Sequence, residues 1–189
     1  FTLTPAALGS AAVAEEAKKL MMDMNAATSI VTEKSQYIVR SSVTLPQIAS
    51  TAGNWLATKG GAKKAYTMVS DFGPGIDAEK WFQSAFKAAG GEIVGSVRMP
   101  IANPDFSAFI QKAKDLNPEA IFVFVPGGAQ PAAIGKAFAE RQIDPKKVNI
   151  MSTGEAVDEQ ALKAMGDISI GRLSAWHYDY NLKTKTNEA

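Results

Sequence analysis

Residues 66–128 alternate between apolar runs of β character and helical runs with one apolar face. Each apolar run ends in small and polar residues that open the next helix. The first closes on Ser70-Asp71-Phe72-Gly73-Pro74-Gly75, the second on Asn103-Pro104-Asp105 and the third on Pro126-Gly127-Gly128. That order is the sequence form of right-handed βαβ units, whose strands lie parallel in one sheet. Ligands of such sheets sit at the carboxyl ends of the strands. The chain is therefore predicted to be an α/β protein with a Rossmann-like parallel sheet flanked by helices.

The remaining elements extend the pattern. A helix is predicted over residues 5–18, with Thr4 as N-cap and Pro5 at the first helical position. A short strand over 20–24 contains Asp23. A carboxylate in a buried parallel strand is costly unless paired, so Asp23 marks an edge position or a residue with a special role. A strand over 37–41 and a helix over 46–58 follow. Strands are predicted over 65–69, 92–97, 120–125, 148–151 and 171–176. Helices are predicted over 74–89, from Asp105 to Asn117, over 130–141 and over 159–165. Gly90-Gly91 supplies a left-handed stop, and Asp105 a cap. The run from Ile121 to Val125 is apolar throughout, as suits a central parallel strand buried on both faces.

Bulk properties narrow the function. The 189 residues carry a formal net charge of +1, so the composition does not call for a nucleic acid. The pairs Lys18-Lys19, Lys63-Lys64 and Lys146-Lys147 fall just before strands and read as solvated strand entries. There is no cysteine, hence no disulfide and no thiolate metal site. No apolar run approaches the ~20 residues that span a bilayer. The chain opens on Phe1-Thr2-Leu3-Thr4, which reads as a processed or truncated product.

Catalytic motifs are missing. Phe72-Gly73-Pro74-Gly75 follows a strand and opens a helix, yet it lacks the Lys-Ser/Thr of a P-loop and the third glycine of a dinucleotide fingerprint. The single histidine, His177, reads as a surface or interface residue. Asp71 and Glu155 could meet at one rim as an acid pair, or serve separately as caps or ligand acceptors. No His/Asp/Glu cluster has metal spacing, and no cofactor is expected. Asn25-Ala26-Ala27-Thr28 is either an ordinary turn or a corner whose N–H groups and hydroxyl hold a carboxylate. Phe72 offers either an apolar wall or a core anchor.

Together, Asn25 to Ser29, Tyr37-Ile38-Val39-Arg40, Ser70 to Asp77, Asn103-Pro104-Asp105-Phe106-Ser107, Phe124 to Gly128 and Gly154-Glu155 make the chain resemble the type I periplasmic solute-binding proteins, the leucine/isoleucine/valine-binding family of ABC importers. The resemblance implies two α/β lobes that close over a solute. It implies a partial first lobe over 1–61, a second lobe over 62–180 and a crossover or tail over 181–189. It places the ligand carboxylate against Thr2 or Thr4 and against Ala26, Ala27 and Thr28. Phe72, Pro126, Gly127 and Glu155 would close the site from the second lobe. It further implies a periplasmic location, an inner-membrane permease as partner, and missing segments or a partner chain to complete the first lobe.

Amino-acid binders of that family often hold the ammonium group with a further acid, and residues 41–47 contain none. A branched-chain or aromatic amino acid therefore competes with an aromatic or keto acid as the solute. A ligand-sensing ectodomain of the same fold, or a doubly wound nucleotide-dependent enzyme, are the competing functions.

Overall fold

A computed structural model describes residues 3–102, 104–179 and 181–187. Thr2, Asn103 and Tyr180, which figure in the expected site, turn and boundary, lie outside them. Five strands form one parallel sheet: β3 (Lys64–Ser70), β4 (Glu92–Met99), β5 (Ala120–Phe124), β6 (Asn149–Thr153) and β7 (Leu173–Ala175). Their order is β4-β3-β5-β6-β7. β5 is buried along its whole length, as its unbroken apolar run requires.

Side-chain alternation divides the core between two layers of helices. Val69, Phe122 and Phe124 face α2 (Leu45–Thr58) and α3 (Gly73–Ala88), where Phe82 stacks on Phe122 with ring centroids 4.2 Å apart. Tyr66, Met68, Ile121 and Val123 face the opposite layer of α4 (Phe106–Asp115) and α5 (Gln130–Glu140), meeting Ile110 and Ile134. The period-2 pattern of the strands thus feeds two apolar layers. α6 (Glu159–Met165) packs beside α5. Gly90 takes φ +90° after α3, the left-handed stop expected of it. Asp105 caps α4 by accepting from the Ser107 N–H at 3.1 Å.

The first residues build a separate, smaller unit. β1 (Met21–Asp23) pairs in parallel with β2 (Ile38–Arg40). They pack with α1 (Thr4–Ala17) and a 3-10 turn, Ser29–Glu33, around Ala7, Ala11, Ala26, Val31 and Ile38. α2 follows this unit in the chain yet packs along α3 and over β6 and β7. Thr44 and Gln47 close a capping box at its start. On the outward side of the small sheet, Met22 is 53% and Val39 43% exposed.

One expectation changes. Thr4 is not the cap of α1: Leu3 holds that position, and the Thr4 hydroxyl is spent elsewhere, as described below. Asp23 does lie on an edge, since the small sheet has only two strands, yet it is fully buried and needs a partner.

Where α3 leaves β3, backbone approaches backbone. A Cβ on Gly75 would lie 1.9 Å from the Ser70 carbonyl oxygen, closer than any atom pair allows. Gly75→Ala must therefore shift the turn that carries Phe72. We expect a loss of at least about 1–3 kcal/mol in urea unfolding, the usual cost of overpacking.

Candidate functional site

In the order β4-β3-β5, the chain leaves β3 for β4 on one side and returns to β5 on the other. β3 and β5 pair up to Val69 and Phe124, and the connections that leave their carboxyl ends diverge to opposite faces, which is where doubly wound sheets open a crevice. A cavity of about 160 Å³ lies there, walled by Phe72 and Pro74 after β3 and by Phe124, Pro126 and Gly127 at the end of β5. Glu155, just past β6, closes it. Leu3, Thr4, Asn25, Ala26, Ala27 and Leu45 bring the smaller unit to the same space. Of the nine expected residues, seven line this cavity: Thr4, Ala26, Ala27, Phe72, Pro126, Gly127 and Glu155. Thr28 stands one bond behind it, its Oγ1 2.6 Å from Thr4 Oγ1, and both residues are buried.

The Asn25–Thr28 corner is held from below by charge. Asp23 Oδ1 accepts from the N–H groups of Asn25 at 3.2 Å and Ala26 at 2.9 Å. Its Oδ2 lies 3.4 Å from Arg40 Nε, an ion contact without regular hydrogen-bond geometry. Arg40 in turn donates to the carbonyl of Ala27 at 3.3 Å and of Thr28 at 2.6 Å. The Leu45 N–H adds a second bond to the Ala27 carbonyl at 2.9 Å. In a trans peptide the C=O and the following N–H point in opposite directions. Arg40 therefore turns the Thr28 and Ser29 N–H groups away from itself. The Ser29 N–H reaches Asp77, whereas the N–H groups of Ala27 and Thr28 meet no acceptor among the described residues.

No cationic side chain lines the cavity among the described residues, but helix N-termini point positive partial charge toward it. Thr4, Leu45 and Pro74 lie in the first turns of α1, α2 and α3. Each helix N-terminus carries roughly half a positive charge in unpaired N–H groups. Three of them converging suit an anion.

The two aromatic walls, Phe72 and Phe124, have ring centroids 6.1 Å apart and tilted by 41°. Phe72 also packs on the core beneath, so it is both wall and anchor. Glu155 is the one ionisable side chain in the lining. Burial pushes its carboxyl up from the ordinary range, opposed by the neighbouring Thr153 hydroxyl, its own backbone N–H and the charge of His177. The Thr153 contact falls short of hydrogen-bond geometry, because Glu155 Oε2 and Thr153 Oγ1 are both buried without a partner among the described residues.

Other candidates fall away from this site. Asp71 is exposed and outside the lining, so it forms no acid pair with Glu155. His177 lies in a wider groove of about 790 Å³ between α2 and β7, against Trp176; no acid among the described residues lines that groove, but His177 also borders a second cavity with Glu155, Asp158 and Asp179. Among the described residues no group of His, Asp or Glu could hold a metal. Residues of the lining not expected in the site are Leu3, Asn25, Leu45, Pro74 and Phe124. Leu3, Asn25, Pro74 and Phe124 sat in noted segments, while Leu45 gave no signal beyond opening a helix.

The model of the periplasmic binding protein family matches residues 1–189. The chain belongs to that family. Among solved members, a solute-binding protein of an ABC transporter from Rhodopseudomonas palustris BisB5, in complex with 3,4-dihydroxybenzoic acid, is 44% identical with a TM-score of 0.89. A second R. palustris solute-binding protein, in complex with 4-hydroxybenzoate, is 42% identical with a TM-score of 0.92. Each match covers 100% of this chain and 51% of the other. A Leu/Ile/Val-binding protein homolog from Brucella melitensis is 36% identical over 178 residues, 94% of this chain. The chain spans about half the length of the curated relatives it matches, 45% in this case.

Two substitutions probe the site. Arg40→Leu leaves the Asp23 carboxylate buried and unpaired; urea titration should show a loss of about 3–5 kcal/mol. Glu155→Gln should act through pH. A carboxyl raised in the folded state keeps its proton to higher pH than in the unfolded chain, so ionisation destabilises the fold as pH rises through the native value. The stability of Glu155→Gln relative to wild type should therefore grow as pH rises above about 4, the ordinary carboxyl range. A difference that stays constant as pH rises would mean that the carboxyl ionises freely.

Proposed function

We propose that the chain is part of the extracytoplasmic solute-binding component of an ABC importer, and that its solute is a small aromatic carboxylate of the hydroxybenzoate type. It works in the periplasm and delivers the solute, chemically unchanged, to a membrane permease. Against the expected boundary at 61/62, residues 1–44 belong to the first lobe and 45–180 to the second, with 181–189 a crossover or tail. The passage between lobes falls just before α2, since that helix packs on the five-stranded sheet. Further chain or a partner covers the apolar outer side of β1 and β2.

One observation carries the ligand class: the cavity joins two aromatic walls to a single buried acid biased toward its neutral form. At about 160 Å³ it is smaller than the roughly 300–1,000 Å³ of sites for drug-sized molecules. A zwitterionic amino acid would set its ammonium against Glu155 alone. A hydroxybenzoate uses each wall differently. Its carboxylate takes the hydroxyls of Thr4 and Thr28 and the N–H groups of Ala27 and Thr28; its ring lies against Phe72 and Phe124; its phenol meets Glu155. The hydroxybenzoates bound by the two R. palustris relatives agree with that assignment.

Isothermal titration with 4-hydroxybenzoate, 3,4-dihydroxybenzoate, benzoate and leucine tests the reading. The hydroxybenzoates should bind, and at 100-fold their Kd raise stability by about 2.7 kcal/mol. Glu155→Leu should weaken 4-hydroxybenzoate by about 2- to 12-fold and leave benzoate nearly unchanged, since a hydrogen bond between neutral groups is worth about 0.5–1.5 kcal/mol. Binding of leucine alone would overturn the aromatic assignment.

A further inference from the structure

Asp77 makes bonds that the cavity by itself does not explain. It stands on α3, whose apolar face packs against the five-stranded sheet, and it is only 8% exposed. Yet its Oδ2 accepts from the Ser29 N–H at 2.8 Å and its Oδ1 from the Ser29 hydroxyl at 2.9 Å. The Trp81 indole N–H donates to Oδ1 at 3.2 Å and steadies the carboxylate from its own helix. Ser29 opens the 3-10 turn of the smaller unit, 48 residues earlier in the chain. A buried acid on one unit thus spends most of its bonding capacity on a single residue of the other.

The peptide between Thr28 and Ser29 is gripped at both ends. Arg40 donates to its carbonyl at 2.6 Å, and Asp77 accepts from its N–H at 2.8 Å. The Arg40 grip lies within the smaller unit and persists however the two units sit. The Asp77 grip exists only when they are together. We propose that Asp77 is the latch of the closed form and a positioning residue for the solute, acting through Ser29 on the Thr28 corner. This rests on the reading that the two units close over a solute.

The consequence is kinetic. A solute enters before the latch forms and leaves only after it breaks, so the latch governs departure rather than arrival. Its two bonds are charge-assisted, the stronger class.

Stopped-flow measurement on the intact protein with 4-hydroxybenzoate should show Asp77→Asn and Ser29→Ala each raising the off-rate by about 10-fold or more, with on-rates within about twofold of wild type. Combining Asp77→Ala with Ser29→Ala should do no more than Asp77→Ala alone, because Asp77→Ala already removes both bonds, whereas Ser29→Ala keeps the one from the backbone N–H. Because the chain has no cysteine, spin labels at exposed Lys34→Cys and Lys87→Cys can report the separation of the units. With saturating 4-hydroxybenzoate, Asp77→Asn should deplete the short-distance population seen in wild type. Unchanged off-rates, or equal coupling of Ser29 and Asp77 to stability with and without ligand, would make the contact a permanent strut and overturn the latch. If wild type binds no 4-hydroxybenzoate, the solute assignment fails separately. The labels then decide alone: Asp77→Asn must reduce the ligand-free population at the separation found in this structure, and no reduction overturns the proposal.

Discussion

The buried Asp23–Arg40 pair is the interaction on which the site depends. Both side chains are withdrawn from water, at 0% and 6% exposure, and a pair so placed is tolerated only if further hydrogen bonds complete it. Those bonds all go to the Asn25–Thr28 corner: two N–H groups to Asp23 and two carbonyls to Arg40. The corner's peptides are therefore oriented by a charge pair lying beneath them, and its remaining donors face away from that pair. A neutral turn of the same sequence would have no reason to keep them so.

This arrangement explains how an anion can be held where the lining offers no lysine or arginine. Fixed N–H groups, two buried hydroxyls and the first turns of α1, α2 and α3 supply positive potential without a mobile charged side chain. Such donors need no reorganisation when a carboxylate arrives. Glu155 contributes the converse. Among the described residues it is the single acid in the lining, and burial outweighs the groups that favour its ionised form.

Much of the fold was legible because local patterns and tertiary environment agree. The apolar run of β5 reads as a central strand, and it is one; Asp105 reads as a cap, and its side chain bonds the Ser107 N–H. Thr4 misled, because a threonine before Pro5 has the form of an N-cap while a hydroxyl 24 residues away offered its side chain a better bond. Asp23 was visible as an anomaly. Its partner was not, since Arg40 sits one strand over, opposite Asp23 in the parallel register. Phe124 was marked only as the start of the Phe124–Gly128 segment, because in an all-apolar strand the pattern itself does not single out the residue that ends at a crevice.

The sequence by itself determined the alternation of strands and helices, and with it the collection of small-residue loops along one edge of a parallel sheet. Period-2 and helical periodicities act over a few residues, so they can be read without knowing the rest of the chain. Only the tertiary structure decided the strand order. That order sends the connections after β3 and β5 to opposite faces of the sheet and opens the crevice that the Thr28 corner meets, and it depends on which apolar faces cover which across long stretches of chain. It likewise decided that Asp77 should meet Ser29, a contact between two packed units that no local spacing encodes.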